Sequence, residues 1–420
     1  MKSSNMNYSQ ALEYIHSFLK FGSKPGLERV SALLEENGCP QNELNIIHVA
    51  GTNGKGSVSA MIAKSLTLSG KKTGLFTSPY VSDFCERIQI DGEMISHQKL
   101  TELVEKYSKQ IKKLNSLNIF PTEFELITAM AFDFFKQENC DYVVMEVGLG
   151  GLYDSTNVVR KPVVSVITHI DLDHSEVLGK TVGEIALQKC GIIKDGCPCV
   201  LYPEQYREVF TVVENECKKR TSKLIVPDTK KLKNISTDNL KTSFSYNNEE
   251  YCLGMIGDHQ ALNAVTAIEA LKIVGCEERY IKAGISQAAL PARIEVISRD
   301  PLVILDGAHN PDGAKALSRS IKSIGGYVAV VSVMRDKDVG GCLKYLLKNA
   351  KKTVATKCVN PRAMDENDLA ELCKKYCKDV FCVGKAEQAV DHALKNNDGL
   401  PVVICGSLYL ASEVRDFIYK

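Results

Sequence analysis

The segment at residues 48–57, H-V-A-G-T-N-G-K-G-S, constrains the fold more than any other part of this chain. An apolar run at 46–49 leads into its glycines, and apolar residues recur at helical spacing over 58–66 after them. A strand that ends in glycines, a lysine and a hydroxyl before a helix is typical of a phosphate-binding loop. Its backbone N–H groups and the helix N-terminus attract an anion. The pattern therefore predicts that the chain binds a nucleoside triphosphate.

The spacing differs from the common phosphate-loop pattern, which has four residues between its first glycine and Gly-Lys-Ser/Thr. Here two residues separate Gly51 from Gly54, and Gly56 stands between Lys55 and Ser57. A glycine-rich turn without a ligand is the alternative. We favour binding because Lys55 supplies a mobile cation and Ser57 a hydroxyl suited to Mg²⁺. The predicted nucleotide-binding set is Gly51, Thr52, Asn53, Gly54, Lys55, Gly56 and Ser57.

Length and composition limit the class of protein. A chain of 420 residues predicts two or three domains, and a net charge of +1 gives no field to recruit nucleic acid or an acidic membrane. We see neither a signal peptide nor an apolar stretch long enough to span a bilayer, so we expect a cytoplasmic protein. Fifteen scattered cysteines, without zinc-site spacing, fit a reducing compartment better than a disulfide framework.

Two blocks of alternating strands and helices predict an α/β fold with mostly parallel sheets. In the first block we predict strands at 45–50, 72–76, 141–147, 163–168 and 199–202, with helices at 57–69, 98–117, 124–136 and 182–193. Residues 223–255 are polar and alternating, which predicts a small antiparallel excursion, and a helix at 259–274 follows it.

The second block predicts a Rossmann-like, doubly wound domain. Its strands are expected at 302–305, 327–333, 352–358, 380–383 and 401–405, and its helices at 311–321, 339–349, 365–376, 386–395 and 408–418. We place the boundary between 290 and 300. This gives an ATP-binding domain at 1–293 and a C-terminal domain at 294–420.

Polar residues follow three further strands, where ligands of parallel α/β sheets collect. Glu146 ends an apolar strand before two glycine steps, and is either a Mg²⁺ ligand or a salt-bridged glutamate. His169, Asp171, Asp173 and His174 crowd together after the next strand, which indicates a metal or proton role.

Two other candidates are less determined by the sequence. Lys189 lies on the following helix, and the sequence leaves open whether it faces solvent or the site. In the second block Asp306 ends a strand, His309 and Asn310 occupy the turn, and Pro311 begins a helix. A tight turn with a capping role is the alternative there.

Taken in order, these segments closely resemble folylpolyglutamate synthases, including the forms that are also dihydrofolate synthases, among the Mur-ligase-like ATP-dependent amide ligases. The resemblance covers almost the whole chain. Its motifs are F-G-S-K-P-G-L-E-R at 21–29, A-G-T-N-G-K-G-S at 50–57, T-S-P at 77–79, F-E-L-I-T-A at 124–129, E-V-G-L-G-G at 146–151, L-D-H at 172–174, Q-K-C-G-I-I-K at 188–194, Asn263, L-P-A-R at 290–293 and D-G-A-H-N-P at 306–311.

The resemblance implies roles for individual residues. Two Mg²⁺ ions would be held by Ser78, Glu146, His174 and a carbamylated Lys189, which would then be a carboxylate. ATP would also contact Asn263, Arg293 and Asp306, with Lys55 and Lys189 among the catalytic groups. The pteroate-binding residues would be Thr122, Glu123, Phe124, Glu125, Tyr153, Asp154 and Ser155, and Ser407 and His309 would lie at the glutamate end.

One departure concerns the pteroate side. Family members often carry an arginine after the glycine pair, whereas this chain has Leu152 and Tyr153 before Asp154. The implied reaction transfers the γ-phosphoryl group of ATP to a carboxylate, and L-glutamate then attacks the acyl phosphate. Asp306 or His309 is a candidate acceptor for the amine's proton.

The implied substrates are dihydropteroate, tetrahydrofolates and L-glutamate, and the expected state is a monomer. Three alternatives stay open: folylpolyglutamate synthesis without dihydrofolate synthesis, a peptidoglycan-precursor Mur ligase, and a nucleotide-binding regulator without catalysis. Only about forty-five residues precede the phosphate-loop strand, too few for the extra domain that binds a uridine-diphosphate sugar. The complete metal-ligand set argues against the regulator.

Overall fold

The computed structural model describes residues 6–22, 25–238 and 240–418. The chain forms two compact units. The first comprises residues up to 80, 84–229 and 262–287, and the second comprises 81–83, 230–261 and 288 onward. The antiparallel excursion thus groups with the second unit. The proposed division of the chain at residue 293 stays a prediction.

The first unit is built on an eight-stranded sheet in the order β4-β3-β2-β5-β1-β6-β7-β8, antiparallel only where β3 meets β2 and β4. Its strands are β1 (Ile46–Ala50), β2 (Thr73–Phe76), β3 (Ile88–Ile90), β4 (Glu93–Met94), β5 (Tyr142–Glu146), β6 (Val164–Ile167), β7 (Cys199–Leu201) and β8 (Leu224–Ile225).

Helices cover both faces of this sheet, because its central strands are apolar on both sides. They are α1 (Tyr8–His16), α2 (Glu28–Glu35), α3 (Lys55–Leu68), α4 (His97–Ser116), α5 (Glu123–Gln137), α6 (Ser175–Leu178), α7 (Val182–Lys189) and α8 (Arg207–Lys219). Two more, α9 (Asp258–Ile273) and α10 (Glu278–Gln287), follow the excursion. Helix α3 packs closely on α10: a Cβ on Gly284 would lie 2.1 Å from Ser65 Oγ.

The second unit contains two sheets. A three-stranded antiparallel sheet is formed by β9 (Leu232–Asp238), β10 (Lys241–Tyr246) and β11 (Glu249–Leu253). The larger sheet has the order β12-β13-β17-β14-β15-β16 and is parallel except between β12 and β13. Its strands are β12 (Glu295–Arg299), β13 (Leu302–Leu305), β14 (Tyr327–Val331), β15 (Ala350–Lys357), β16 (Asp379–Lys385) and β17 (Val402–Cys405).

Helices pack on both faces of the larger sheet, and the buried apolar residues of this unit form two clusters. They are α11 (Pro311–Ser320), α12 (Val339–Leu346), α13 (Glu366–Cys373), α14 (Ala386–Lys395) and α15 (Leu408–Ile418). The predicted fold class, mostly parallel α/β with a small antiparallel part, is confirmed. Helices α1, α2, α6, α8 and α10, and the short strands β3, β4, β8 and β12, were not anticipated.

Sheet order explains why the predicted site residues converge. Strands β2, β5, β1 and β6 are adjacent and parallel, so the chain leaves all four at one edge of the sheet. In the second unit β13 and β17 are likewise parallel neighbours. The fifteen cysteines, all among the described residues, form no disulfide. No helix in the described part of the chain is both long and apolar enough to cross a membrane.

Candidate active site

The glycine-rich loop joins β1 to α3 in a conformation that requires glycine at two positions. A Cβ on Gly51 would lie 1.8 Å from Thr168 Oγ1, so the backbone there passes directly over the end of β6. Gly54 has φ +89°, and its Cβ would lie 2.4 Å from Asn263 Oδ1. The sequence-predicted loop and Asn263, on α9, therefore lie side by side.

Hydrogen bonds to the neighbouring β6 loop hold this conformation. The backbone N–H groups of Thr52 and Asn53 donate to the His169 carbonyl oxygen at 2.8 and 3.1 Å. Thr168 Oγ1 donates to the Asn53 carbonyl oxygen at 2.8 Å, and Thr52 Oγ1 to that of Asp171 at 3.0 Å. These contacts orient the start of α3, where Gly56 and Ser57 follow Lys55 and Ser57 is buried.

Two lysines meet at one carbonyl of the loop. Lys55 Nζ donates to the Gly51 oxygen at 3.0 Å and to the Thr52 oxygen at 3.2 Å, and Lys189 Nζ donates to the Gly51 oxygen at 2.8 Å. Lys189 is only 3% exposed, which answers the question the sequence left open. Burial, then the positive charge of Lys55, lowers the pKa of Lys189 to about 7, against the opposing pull of Asp173. Close to neutral pH a substantial fraction of this amine is therefore uncharged.

Three of the predicted metal ligands lie at the ends of three strands of the same sheet, β2, β5 and β6. Glu146 ends β5, is 4% exposed, and its Oε2 accepts a 3.3 Å hydrogen bond from the backbone N–H of Ser78 after β2. His174 is the N-cap residue that precedes α6, with its Nε2 3.9 Å from Asp173 Oδ1. A carboxylate, a hydroxyl and a glycine-rich loop before a helix N-terminus are suited to a hard cation and a phosphate chain. These residues fit Mg²⁺ and ATP.

The loop after Glu146 is fixed from inside by Asp154. Its carboxylate accepts from the Thr156 N–H at 2.9 Å, the Thr156 hydroxyl at 2.6 Å and the Leu149 N–H at 2.9 Å. The Thr156 hydroxyl also lies 2.8 Å from His48 Nε2. Burial raises the pKa of Asp154 and lowers that of His48 to about 3. This network leaves Tyr153 projecting, at 54% exposure, beside the buried Ser155.

The T-E-F-E stretch forms the first turn of α5. Thr122 and Glu125 make a reciprocal capping box, and Arg29 grips the same Glu125 carboxylate through three contacts of 2.8–3.1 Å. Glu123 lies 3.4 Å from His16 Nδ1. Phe124 faces the loop that follows β5, since a Cβ on Gly148 would lie 2.5 Å from its ring. The capping and ion pair thus aim Phe124 toward the loop that carries Tyr153.

In the second unit Asp306 organises the end of β13. Its carboxylate accepts from the backbone N–H groups of Ile294 and Ala308, both at 2.8 Å. Burial raises its pKa, and the guanidinium of Arg293 counteracts this. His309 Nδ1 lies 2.9 Å from the Gly307 carbonyl oxygen, so this nitrogen donates and Nε2 is the one able to accept a proton.

The remaining predicted groups of this unit follow β13 and its neighbour β17. Asn310 caps α11 by accepting from the Gly313 N–H at 2.8 Å, so the capping role that we gave as the alternative is present, and Pro311 is the first residue of the helix. Ser407 follows β17, the neighbour of β13, is buried, and its Oγ accepts from the Tyr409 N–H at 3.0 Å.

Sequence reasoning missed several supporting residues. Arg29 was part of a quoted motif, yet its contact with Glu125 spans 96 residues and only the fold reveals it. His48 and Thr156 were likewise unassigned, and a polar residue inside an apolar strand was the available signal for His48. Two members of the motif at 21–29, Ser23 and Lys24, lie outside the described residues.

Comparison with known proteins shows the family of the chain. The model of the Mur ligase middle domain matches residues 49–271, and that of the Mur ligase glutamate ligase domain matches 292–408. The chain is 36% identical to the Bacillus subtilis dihydrofolate synthase/folylpolyglutamate synthase, covering 97% of this chain and 98% of the relative. It is 35% identical to the Lacticaseibacillus casei folylpolyglutamate synthase, covering 98% of each.

Solved structures show the same similarity. The Mycobacterium tuberculosis folylpolyglutamate synthase complexed with ADP and AMPPCP matches with a TM-score of 0.90 at 29% identity over 99% of each chain. Escherichia coli FolC in complex with DHPP and ADP matches with a TM-score of 0.87 at 28% identity, covering 100% of this chain and 99% of that one. Fold and site define an ATP-dependent ligase of the Mur type. Within that class, the chain belongs to the dihydrofolate synthase/folylpolyglutamate synthase family.

Proposed function

We propose that this protein joins L-glutamate to the carboxylate of dihydropteroate, giving dihydrofolate, and to the terminal glutamate of tetrahydrofolates, giving polyglutamates. The observation that carries the proposal is the convergence of the glycine loop, Lys55, Glu146 and Lys189 at one sheet edge of a chain whose relatives bear these two activities in their names. ATP is the co-substrate, and the protein is proposed to act as a cytoplasmic monomer.

The loop residues would hold the phosphates of ATP, and Ser78, Glu146 and His174 would hold Mg²⁺, which neutralises charge on the transferring phosphoryl group. Lys55 supplies a cation that can leave its two loop carbonyls for a phosphate oxygen, because an anionic oxygen attracts the ammonium group more strongly than a neutral carbonyl oxygen does. Lys189 is the proposed carbamylation site. Its amine reacts with CO₂ only when neutral, and its pKa of about 7 provides that form.

Once the acceptor carboxylate carries a phosphoryl group, its carbonyl carbon is open to the amine of glutamate. The amine attacks in its neutral form, and phosphate leaves as the amide bond closes. His309 Nε2 is the better proton acceptor of the two candidates. Asp306 already uses both carboxylate oxygens on backbone N–H groups, which makes it a supporting group for Arg293.

The acceptor range is tested by assaying the purified protein with ATP, Mg²⁺ and labelled L-glutamate, once with dihydropteroate and once with tetrahydrofolate. Product with both supports the proposal. Product with tetrahydrofolate alone supports the second candidate, a folylpolyglutamate synthase without dihydrofolate synthase activity. The L. casei relative, which is 35% identical to this chain, is named a folylpolyglutamate synthase alone. A UDP-linked peptide serves as the control acceptor and should give none.

A further inference from the structure

The turn that carries Arg293 is strained on both sides. Ala292 has φ +54° and Ile294 has φ +50°, so both neighbours of Arg293 occupy the left-handed region. Neither is a glycine, and Ile294 is β-branched, which makes this conformation especially unfavourable for it. Such strain persists only where surrounding contacts over-determine the backbone, and it concentrates at functional sites.

Two carboxylates hold the strained residues by their backbone N–H groups. Glu295 Oε2 accepts from the Ala292 N–H at 2.9 Å, and Asp306 Oδ2 accepts from the Ile294 N–H at 2.8 Å. The Gly307 N–H in turn donates to the Ala292 carbonyl oxygen at 2.8 Å. Each φ-positive residue beside Arg293 is therefore pinned to the end of β13 or to the first residue of β12.

Arg415, on α15, completes the arrangement from a distant part of the sequence. Its Nε lies 3.2 Å from each oxygen of the Glu295 carboxylate, and an Nη lies 3.0 Å from Oε1. Both side chains are largely buried, at 23% and 17% exposure. A bidentate guanidinium fixes the plane of a carboxylate, so Arg415 sets the direction in which Glu295 Oε2 meets the turn.

The product of these contacts is a fixed direction for Arg293. A Cβ on Gly307 would lie 3.0 Å from an Nη of Arg293, which places the guanidinium along the end of β13. We propose that Glu295 and Arg415 are positioning residues that hold the Ala292–Arg293–Ile294 turn so that Arg293 is presented to ATP. This inference rests on the proposed function and on the contact with ATP that the family resemblance implies for Arg293.

The test compares Glu295→Gln with the parent protein by titration calorimetry with AMPPCP and by steady-state kinetics. We expect the Kd for AMPPCP and the KM for ATP to rise about tenfold, with kcat and the KM for glutamate within about twofold. Asp398→Asn is the matched control. It removes a carboxylate from an ion pair in the same unit, 2.6 Å from Lys352, and should leave nucleotide affinity unchanged.

A rescue variant separates positioning from general stability. Ala292→Gly in the Glu295→Gln background should recover most of the nucleotide affinity, because glycine adopts φ +54° without a clamp. Arg415→Met should weaken AMPPCP binding in the same direction as Glu295→Gln. A lower Tm with unchanged nucleotide affinity in both single variants would overturn the inference and leave the proposed function standing. A parent protein that neither binds AMPPCP nor ligates glutamate would instead refute the proposed function.

Discussion

The ion pair between Arg29 and Glu125 offers a stability test of the region that aims Phe124. Replacing Arg29 with Met removes three contacts of 2.8–3.1 Å from a carboxylate that is 2% exposed. Breaking a buried pair from one side costs about 3–5 kcal/mol, because the other charge stays buried without a counter-ion. Glu125 keeps its capping contact with the Thr122 N–H at 2.6 Å, and Arg29 was 19% exposed. We therefore expect the lower end, about 3 kcal/mol.

Equilibrium urea unfolding, followed by circular dichroism, measures this loss. Lys113→Met is the matched control, since Lys113 pairs with Glu36 at 2.6 Å but is 62% exposed, and its loss should cost under about 0.5 kcal/mol. The double variant Arg29→Met/Glu125→Gln should recover more than half of the destabilisation, because no charge is then left buried. If Arg29→Met costs no more than Lys113→Met, the burial argument is wrong.

Three further predictions concern the nucleotide side of the first unit. His48 stays neutral in the folded protein down to about pH 3, while the unfolded chain takes up a proton below its ordinary pKa of 6.5. Its contribution is therefore complete above pH 6.5 and is lost as pH falls toward 3, by up to about 1.4 kcal/mol per pH unit. Urea unfolding at pH 7.5 and 5.0 should show this slope, and the slope should be shallower in His48→Gln. Gly54→Ala should raise the Kd for AMPPCP at least about tenfold. Gly70→Ala should leave the Kd for AMPPCP unchanged, since Gly70 has a similar φ of +82° but nothing lies within 4 Å of the added Cβ. An equal effect of the two substitutions would contradict a phosphate-binding role for the loop at Gly54. Lys189→Ala should lower ligation at least about a hundredfold, with partial rescue by added acetate as a substitute carboxylate. A rate that acetate does not restore would count against carbamylation.

The carboxyl ends of two buried strands, one in each unit, could be located from the sequence for a physical reason. Glu146 and Asp306 each follow a short β-branched apolar run, and that pattern locates the carboxyl end of a buried strand without any tertiary information. The glycines at 51 and 54 were equally informative, since the loop backbone passes so close to neighbouring side chains that no residue with a Cβ fits there. The glycine-rich loop and the strand ends could thus be recognised from short segments of sequence, without knowledge of contacts between distant residues.

What the sequence could not supply depends on contacts between distant segments. Lys189 lies on a helix whose other face is exposed, so only the packing of α7 decides that its amine turns inward to Gly51. The strained turn at 292–294 could not be predicted from the sequence for a different reason. Ala292 and Ile294 are residue types that rarely adopt positive φ, and the carboxylate that holds Ala292 is itself aligned by Arg415, 120 residues later.

We propose that the loop and Glu146 bind the magnesium–ATP whose γ-phosphoryl group is transferred to a pteroate carboxylate before glutamate attacks. Dihydropteroate labelled with ¹⁸O in both carboxylate oxygens tests it directly, with mass spectrometry of the released phosphate. Attack of one carboxylate oxygen on the γ-phosphorus, followed by amide formation, moves one label into phosphate and leaves one in the amide. We predict one ¹⁸O per phosphate, formed only when both L-glutamate and ATP are present. Unlabelled phosphate accompanying labelled dihydrofolate would contradict the claim.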